Sequence, residues 1–176
     1  IHVLAAIRAD PLGLRLQDGV QQPAYLPGGN PLGIVFANEC VFFDLSGADF
    51  TGAELSQGIF LNCNLASAKL GNAKLHGTVL IGANLQGADI RAADVDRLVA
   101  DEADFTGVQL PSKLSGNFDA AKFDGLDFTG LTLENAAFSN ASMKGCRFAK
   151  AASSGVDFAD ADLTNADFSG ANFTQA

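Results

Sequence analysis

The sequence predicts a repeat fold, a solenoid of stacked five-residue units. Every fifth residue from Leu45 through Phe50, Leu55 and Phe60 to Ala100, Phe105 and Leu110 is apolar. A surface helix repeats its apolar stripe at about 3.6 residues and a half-buried strand at 2, so an unbroken spacing of 5 rejects both. The series resumes as Phe118, Phe123, Phe128, Leu133, Phe138, Met143, Phe148, Ser153, Phe158, Leu163, Phe168 and Phe173, with Ser153 its one polar member. A unit this short cannot bury its own side chain, whereas stacked units bury a continuous column.

Four segments follow in order. Residues 1–39 do not repeat. They hold Pro11, Pro23, Pro27 and Pro31, the only Tyr (Tyr25), and turn signals at Asp18-Gly19 and Gly28-Gly29-Asn30. Ile1 to Ala9 reads as a short helix or strand, Leu12 to Leu16 as a strand, and Gln21 to Pro31 as irregular. The end of a stack of units exposes unpaired backbone groups if the units are strands, and the segment is expected to be a cap. Residues 40–110 form a first repeat block with mainly aliphatic centres. Leu110 and Phe118 are eight residues apart, so residues 111–117 are a register break or loop, with three positions inserted or two deleted. Residues 118–176 form a second block, and 40–176 together make one solenoid domain. The repeat runs to Ala176 with no cap behind it, so that end is expected either to continue or to meet a partner.

A chain of 176 residues is long enough to bury a core without disulfide staples. Acidic residues outnumber basic ones by 20 to 11, with 3 against 2 before residue 40, 9 against 4 in the first block and 8 against 5 in everything after it. Phosphate-backbone binding and polybasic membrane anchoring both need clustered Lys and Arg. A nucleic-acid ligand is therefore not expected, and neither is membrane insertion, since no apolar run approaches the roughly 20 residues of a spanning helix. The chain starts at Ile1 rather than Met, which favours a processed, exported or organellar protein.

Around most centres the text is the same: Ala48-Asp49-Phe50, Ala83-Asn84-Leu85, Ala88-Asp89-Ile90, Ala103-Asp104-Phe105, Ala161-Asp162-Leu163, Ala166-Asp167-Phe168 and Ala171-Asn172-Phe173. This resembles the pentapeptide-repeat family, with its A(D/N)LXX motif, over about residues 40 to 176. The resemblance implies an all-β fold, a right-handed quadrilateral β-helix in which one pentapeptide forms one side and four make a coil. The centre and the small residue two before it would point inward. At a coil spacing of about 4.8 Å the rod would be on the order of 31 Å long. Read at intervals of 20, Phe118, Phe138 and Phe158 form one column and Phe128, Phe148 and Phe168 another, so rings should stack along the axis.

The outward positions carry the functional signal. On the side centred on Cys40, Phe60, Leu80 and Ala100, the flanking residues include Ile59, Leu61, Val79, Ile81 and Val99. The other sides are mostly polar. A contiguous apolar patch marks a protein interface, unless residues 1–36, with Ile1, Val3, Leu4, Ile7, Leu12, Leu14 and Leu16, fold back over it. Phe173, at the bare C-terminal end, is a further candidate contact.

Other constellations are weaker. Asp94, Asp96, Asp101, Glu102 and Asp104 gather where Arg97 and the small Ala100 degrade the repeat; with no EF-hand spacing they read as a solvated acidic loop rather than a calcium site. Asp and Asn before the centres suit turns, because their side chains bond nearby backbone groups. Cys40 at a centre and Cys63 and Cys146 at inner small-residue positions read as buried thiols, and their spacing matches no zinc motif. His2 and His76 are isolated, and no phosphate loop, HExxH or GxSxG motif occurs. The expected sites are therefore catalytic none, metal none and cofactor none.

These readings converge on a non-enzymatic structural or protein-protein interaction module. Similarity to family members of the thylakoid lumen implies an accessory lumenal subunit of a photosynthetic membrane complex. The alternative implied by the resemblance is an acidic DNA mimic acting on a gyrase, against which stand Lys69, Lys74, Lys122, Lys144 and Arg147 interleaved among the acids. An enzyme would need a pocket between the N-terminal segment and the rod, near Tyr25 and His76.

Overall fold

The computed structural model describes residues 44–176 and the backbone of Cys40–Val41. The expected N-terminal cap, its secondary structure and Tyr25 lie outside the described residues. All regular structure among the described residues is β: strands β1 (Cys40–Val41), β2 (Phe60–Leu61), β3 (Leu98–Val99), β4 (Gly116–Asn117), β5 (Ala136–Ala137), β6 (Ala152–Ser154) and β7 (Asn172–Thr174), joined by single-residue bridges. Every pairing is parallel. Cys40 pairs with Phe60, Ile59 with Val79 and Asn64 with Asn84, so one coil takes twenty residues and four five-residue sides. The fold is a right-handed quadrilateral β-helix.

Outside the register break most corners are turns, and on the polar sides the sequence builds them twice over. The N–H of the residue three after a centre donates to that centre's carbonyl, as in Ala48 to Leu45 (3.1 Å) and Ala83 to Leu80 (2.9 Å). The second residue after the centre has positive φ, as at Gly47 (67°), Asn72 (57°) and Asn140 (56°), the requirement of a type II turn. Asp or Asn before the centre then accepts a second bond from the first turn residue, as in Thr51 N–H to Asp49 Oδ1 (3.0 Å) and Thr129 N–H to Asp127 Oδ1 (2.9 Å). The turn role read from the Asx positions is thus what these side chains perform.

Centres and the small residues two before them fill the interior, with Ala53, Ala68, Phe105, Phe123, Phe138 and Phe148 wholly buried. The aromatic columns stack as expected: Phe118 on Phe138 at 5.1 Å, Phe138 on Phe158 at 5.6 Å, and Phe128, Phe148 and Phe168 at 4.8 Å each. Adjacent columns meet edge to face, as Phe118 and Phe123 do at 5.6 Å. Polar atoms that enter the core are satisfied: Thr78 Oγ1 donates to the Leu55 carbonyl (2.9 Å), and the hydroxyl of Ser153, the polar centre, donates to that of Leu133 (2.5 Å). The Cys146 thiol, also at an inner position, donates to the Phe123 carbonyl at 3.0 Å, and burial pushes its pKa up to about 11. Cys63 is likewise buried, whereas the side chain of Cys40 lies outside the described residues.

At the break the pairing offset drops from 20 to 18: Leu98 pairs with Gly116 and Asp104 with Lys122. Two positions are therefore deleted, and the stretch is a side of the coil rather than an excursion from it. Leu114 is fully buried and acts as a centre, four residues after Leu110 and four before Phe118, so each of two consecutive sides is one residue short. The column of rings survives, with Phe105 stacked on Phe123 at 4.6 Å. The ladders do not all survive. Those through Asp104–Lys122 and Val99–Asn117 continue. Among the described residues no bridge joins Asp94 to Lys113 or Gln109 to Asp127. The coils are in register on two adjacent sides and out of register on the other two.

Candidate protein-binding face

Ile59, Val79 and Val99 form one ladder along the rod. Leu61 pairs with Val41 below it and sits one position beyond buried Phe60, while Ile81 follows buried Leu80. Side chains alternate across a strand, so with the centres inward these five face outward. All five are half-buried. The structure therefore gathers on one side the five apolar residues that the sequence singles out. Phe173 stands elsewhere: it is a centre of the last coil, packed on Phe148 (6.1 Å), Phe158 (5.7 Å) and Phe168 (5.9 Å). Whether residues 1–36 cover the side falls outside the described residues.

The stripe ends at the register break, where Asp101 and Asn117 take over its two columns. At the corner beside it stand Asp101, Glu102 and Asp119. Glu102 N–H donates to the Asp119 carbonyl (2.7 Å), Asp119 N–H to Asp101 Oδ1 (3.2 Å), and Asn140 Nδ2 to Asp119 Oδ1 (2.8 Å). None of the three carboxylates forms an ion pair with a cation of the described residues, and the nearest such pair is Asp104 with Lys122 at 4.0 Å. Ala100 is fully buried, so the five-residue frame holds through the acidic stretch. Asp94 and Asp96 lie on a different corner from Asp101, Glu102 and Asp104, and no group of three His, Cys, Asp or Glu among the described residues is arranged to hold a metal.

The opposite rim is balanced in charge. Asp96 accepts from Ser115 Oγ (2.9 Å) and Arg97 Nε (3.3 Å) and meets His76 Nδ1 at 3.1 Å. The Ser115 bond, with Arg97 and His76, holds the Asp96 carboxyl below the usual carboxylate range against the opposing effect of burial. Beside this network the missing residues leave a half-open groove of about 370 Å³, lined by Asp96, Arg97, Val99, Lys113, Asn117 and Glu134 among others. Its contents were hidden because Leu114 sits off the five-residue count; the signal was its spacing of four to each neighbour.

Elsewhere the outer columns alternate in sign along the axis. Lys69 pairs with Asp49 (3.7 Å), Lys74 with Glu54 (3.1 Å), Lys144 with Asp162 (3.2 Å) and Arg147 with Asp127. These exposed pairs add little stability each, but they set bases among the acids on three of the four sides.

No helix among the described residues is long and apolar enough to cross a membrane. Two sequence profiles of pentapeptide repeats match, the first over residues 44–111 and 117–148 in overlapping stretches and the second over 133–176. No curated protein matches the chain. Similar solved structures include HetL, a pentapeptide repeat protein involved in heterocyst differentiation regulation from the cyanobacterium Nostoc sp. strain PCC 7120, at 24% identity, 79% of this chain, 77% of that one and a TM-score of 0.43. Another is full-length QnrB1, a plasmid-mediated fluoroquinolone resistance protein, at 16% identity, 78% and 92% coverage and a TM-score of 0.36. A third is a pentapeptide repeat protein of the Arabidopsis thaliana thylakoid lumen, at 27% identity, 72% and 68% coverage and a TM-score of 0.26. With its profiles spanning well over half of the sequence and its coils built as the profiles require, the chain belongs to the pentapeptide-repeat family.

Proposed function

We propose that this protein is a non-enzymatic interaction module, a rigid rod that presents the Ile59, Leu61, Val79, Ile81 and Val99 side to a protein partner. The observation that carries the reading is the contrast between sides: this one is apolar on its outer surface, while the columns around it alternate acids and bases. Contiguous apolar surface rimmed by polar groups is the usual mark of a protein contact. Among the described residues the interior is filled by centres and the groove at the break is open to solvent, whereas a reaction needs an enclosed cleft to exclude water. DNA mimicry is disfavoured by Lys69, Lys74, Lys122 and Arg147, which interrupt what would have to be continuous acidic strips.

The family resemblance in sequence suggests a setting, the lumen of the thylakoid, with the partner a photosynthetic membrane complex. Affinity isolation from membranes of the source cells, with the natural chain and with Ile59→Asp and Val79→Asp, tests both parts. A partner held by the natural chain and lost from both variants is expected. Unchanged recovery would remove the apolar side as the interface, and a partner from another compartment would remove the lumenal setting.

A further inference from the structure

The apolar stripe has a spacing that selects among partner shapes. Its residues recur once per coil, so Ile59, Val79 and Val99 stand about 4.8 Å apart along the axis. A strand laid along the rod would present same-face side chains about 6.7 Å apart and fall out of step within two contacts. A helix laid along the axis presents residues i, i+3 or i+4, and i+7 at about 5 Å intervals, one per coil. Leu61 and Ile81, on the other side of buried Phe60 and Leu80, form a second apolar column beside the first, along which such a ridge would lie.

Charge distinguishes the two ends of the stripe. Near Ile59 the flanking polar residues are Ser56, Gln57 and Asn62. At Val99 one rim holds the Asp96–Arg97 ion pair, and the other holds Asp101, Glu102 and Asp119, where Asp101 accepts from the Asp119 N–H, Asp119 from Asn140, and none of the three carboxylates pairs with a cation of the described residues. A cationic flank on the partner would meet carboxylates that the other columns of the rod spend on their own Lys and Arg.

We infer that the partner element docked on this face is an amphipathic α-helix lying parallel to the rod axis, its apolar ridge on the stripe and its Lys- or Arg-bearing end against Asp101, Glu102 and Asp119. The inference rests on the proposed interaction face and gives its occupant a shape and a charge. Apolar helices seated in apolar grooves are a recurrent mode of peptide recognition, and the charged end sets orientation and on-rate more than affinity.

The test uses the full chain and a synthetic peptide of about 14 residues with Leu at i, i+3, i+4 and i+7 and Lys confined to one terminal turn. A second peptide has the same composition in scrambled order. Binding is read by fluorescence anisotropy at low and high salt. The helical peptide is expected to bind at least about tenfold tighter than the scrambled one, and Ile81→Asp to erase that difference. The combined variant Asp101→Asn, Glu102→Gln and Asp119→Asn keeps the hydrogen-bond acceptors; it is expected to slow association several-fold and flatten the salt dependence, with an unchanged melting temperature. Equal binding of the two peptides, or indifference to Ile81→Asp, overturns the inference. So does a photo-crosslinker at position 81 that labels residues 1–39 of its own chain while the helical peptide fails to bind. If cellular partner recovery still depends on Ile59 and Val79 when the peptide fails, only the helical basic occupant falls; if recovery ignores those substitutions, the face itself falls.

Discussion

The two repeat blocks share one backbone and differ in what they place on each side of it. The first has aliphatic centres such as Leu65, Leu70 and Leu85 inside and an apolar stripe outside. The second has stacked rings inside, such as Phe128 on Phe148, and an outer surface of Asp127, Arg147, Lys144 and Asp162 in ion pairs. The inward positions have only to fill a column, and Leu or Phe does so equally well. The outward positions are free of that duty: both blocks carry ion pairs there, and the first adds the apolar stripe. Stability and recognition are thus written on alternate residues of the same strand.

The largest test of this division is Phe148→Asp. The ring is wholly buried between Phe128 and Phe168, so an ionised carboxylate there costs more than about 5 kcal/mol. The second block is expected to lose its cooperative thermal transition by circular dichroism. A natural melting temperature would remove the assignment of inward positions. By contrast Ile81→Asp, in the outer stripe of the first block, is expected to leave melting nearly unchanged.

Next in size is Gly116→Ala at the junction of the blocks. Gly116 has φ of 136°, and a Cβ there would lie 2.0 Å from the Leu98 carbonyl oxygen. The strand β4 could not then approach β3, and a loss of roughly 3 kcal/mol in urea denaturation is expected. A loss below 1 kcal/mol, on the order of an exposed-site change, would mean that the two blocks do not depend on that pairing.

Acid should act on both blocks alike. In the second, Thr129 and Arg147 hold the Asp127 carboxyl below its ordinary value; in the first, burial of Asp104 works against the bonds from Thr106 and Gln86, which prevail and lower it. A carboxyl whose folded pKa is depressed stabilises the fold above its unfolded pKa and loses that contribution as pH falls through the folded value. The urea midpoint is therefore expected to be flat from about pH 5 to 7 and to fall below about pH 4. A midpoint that rose on acidification would contradict the turn bonds described for these residues.

The smallest effects are expected at corners. Ala92 (φ 58°) and Ala120 (φ 53°) occupy the left-handed region that glycine takes at Gly107 and Gly125. Replacing either with Gly is expected to stabilise by roughly 0.5 kcal/mol, since relief of strain exceeds the added chain entropy. Denaturation of the two variants checks whether both blocks use the same turn.

The fold was legible because each centre declares itself: Leu45, Phe50 and Leu55 are large, apolar and evenly spaced, and the Asx turns follow from the residues before them. The apolar side was legible for the same reason, since Ile59, Val79 and Val99 violate a polar rule at intervals of 20. Leu114 was missed because a count of five steps over it, and only the pairing of Lys113 with Thr132 shows which coil it serves. The carboxylates at Asp101 and Asp119 were invisible as neighbours, since their separation of 18 reflects the deletion and not the repeat. Phe173 was singled out for its place near the chain's end, whereas its ring belongs to the interior stack.

The two ladders that stop at the break give the rod a mechanical property. Adjacent coils are bonded on two neighbouring sides and unbonded on the other two, the geometry of a door hung on one edge. Bending that opens the unbonded sides strains no backbone hydrogen bond, while bending the other way compresses filled columns. Pulled from its ends, the rod is expected to yield in two separate extensions of unequal size, with Gly116 and Leu114 at the divide. Force-extension traces on single molecules would read it directly.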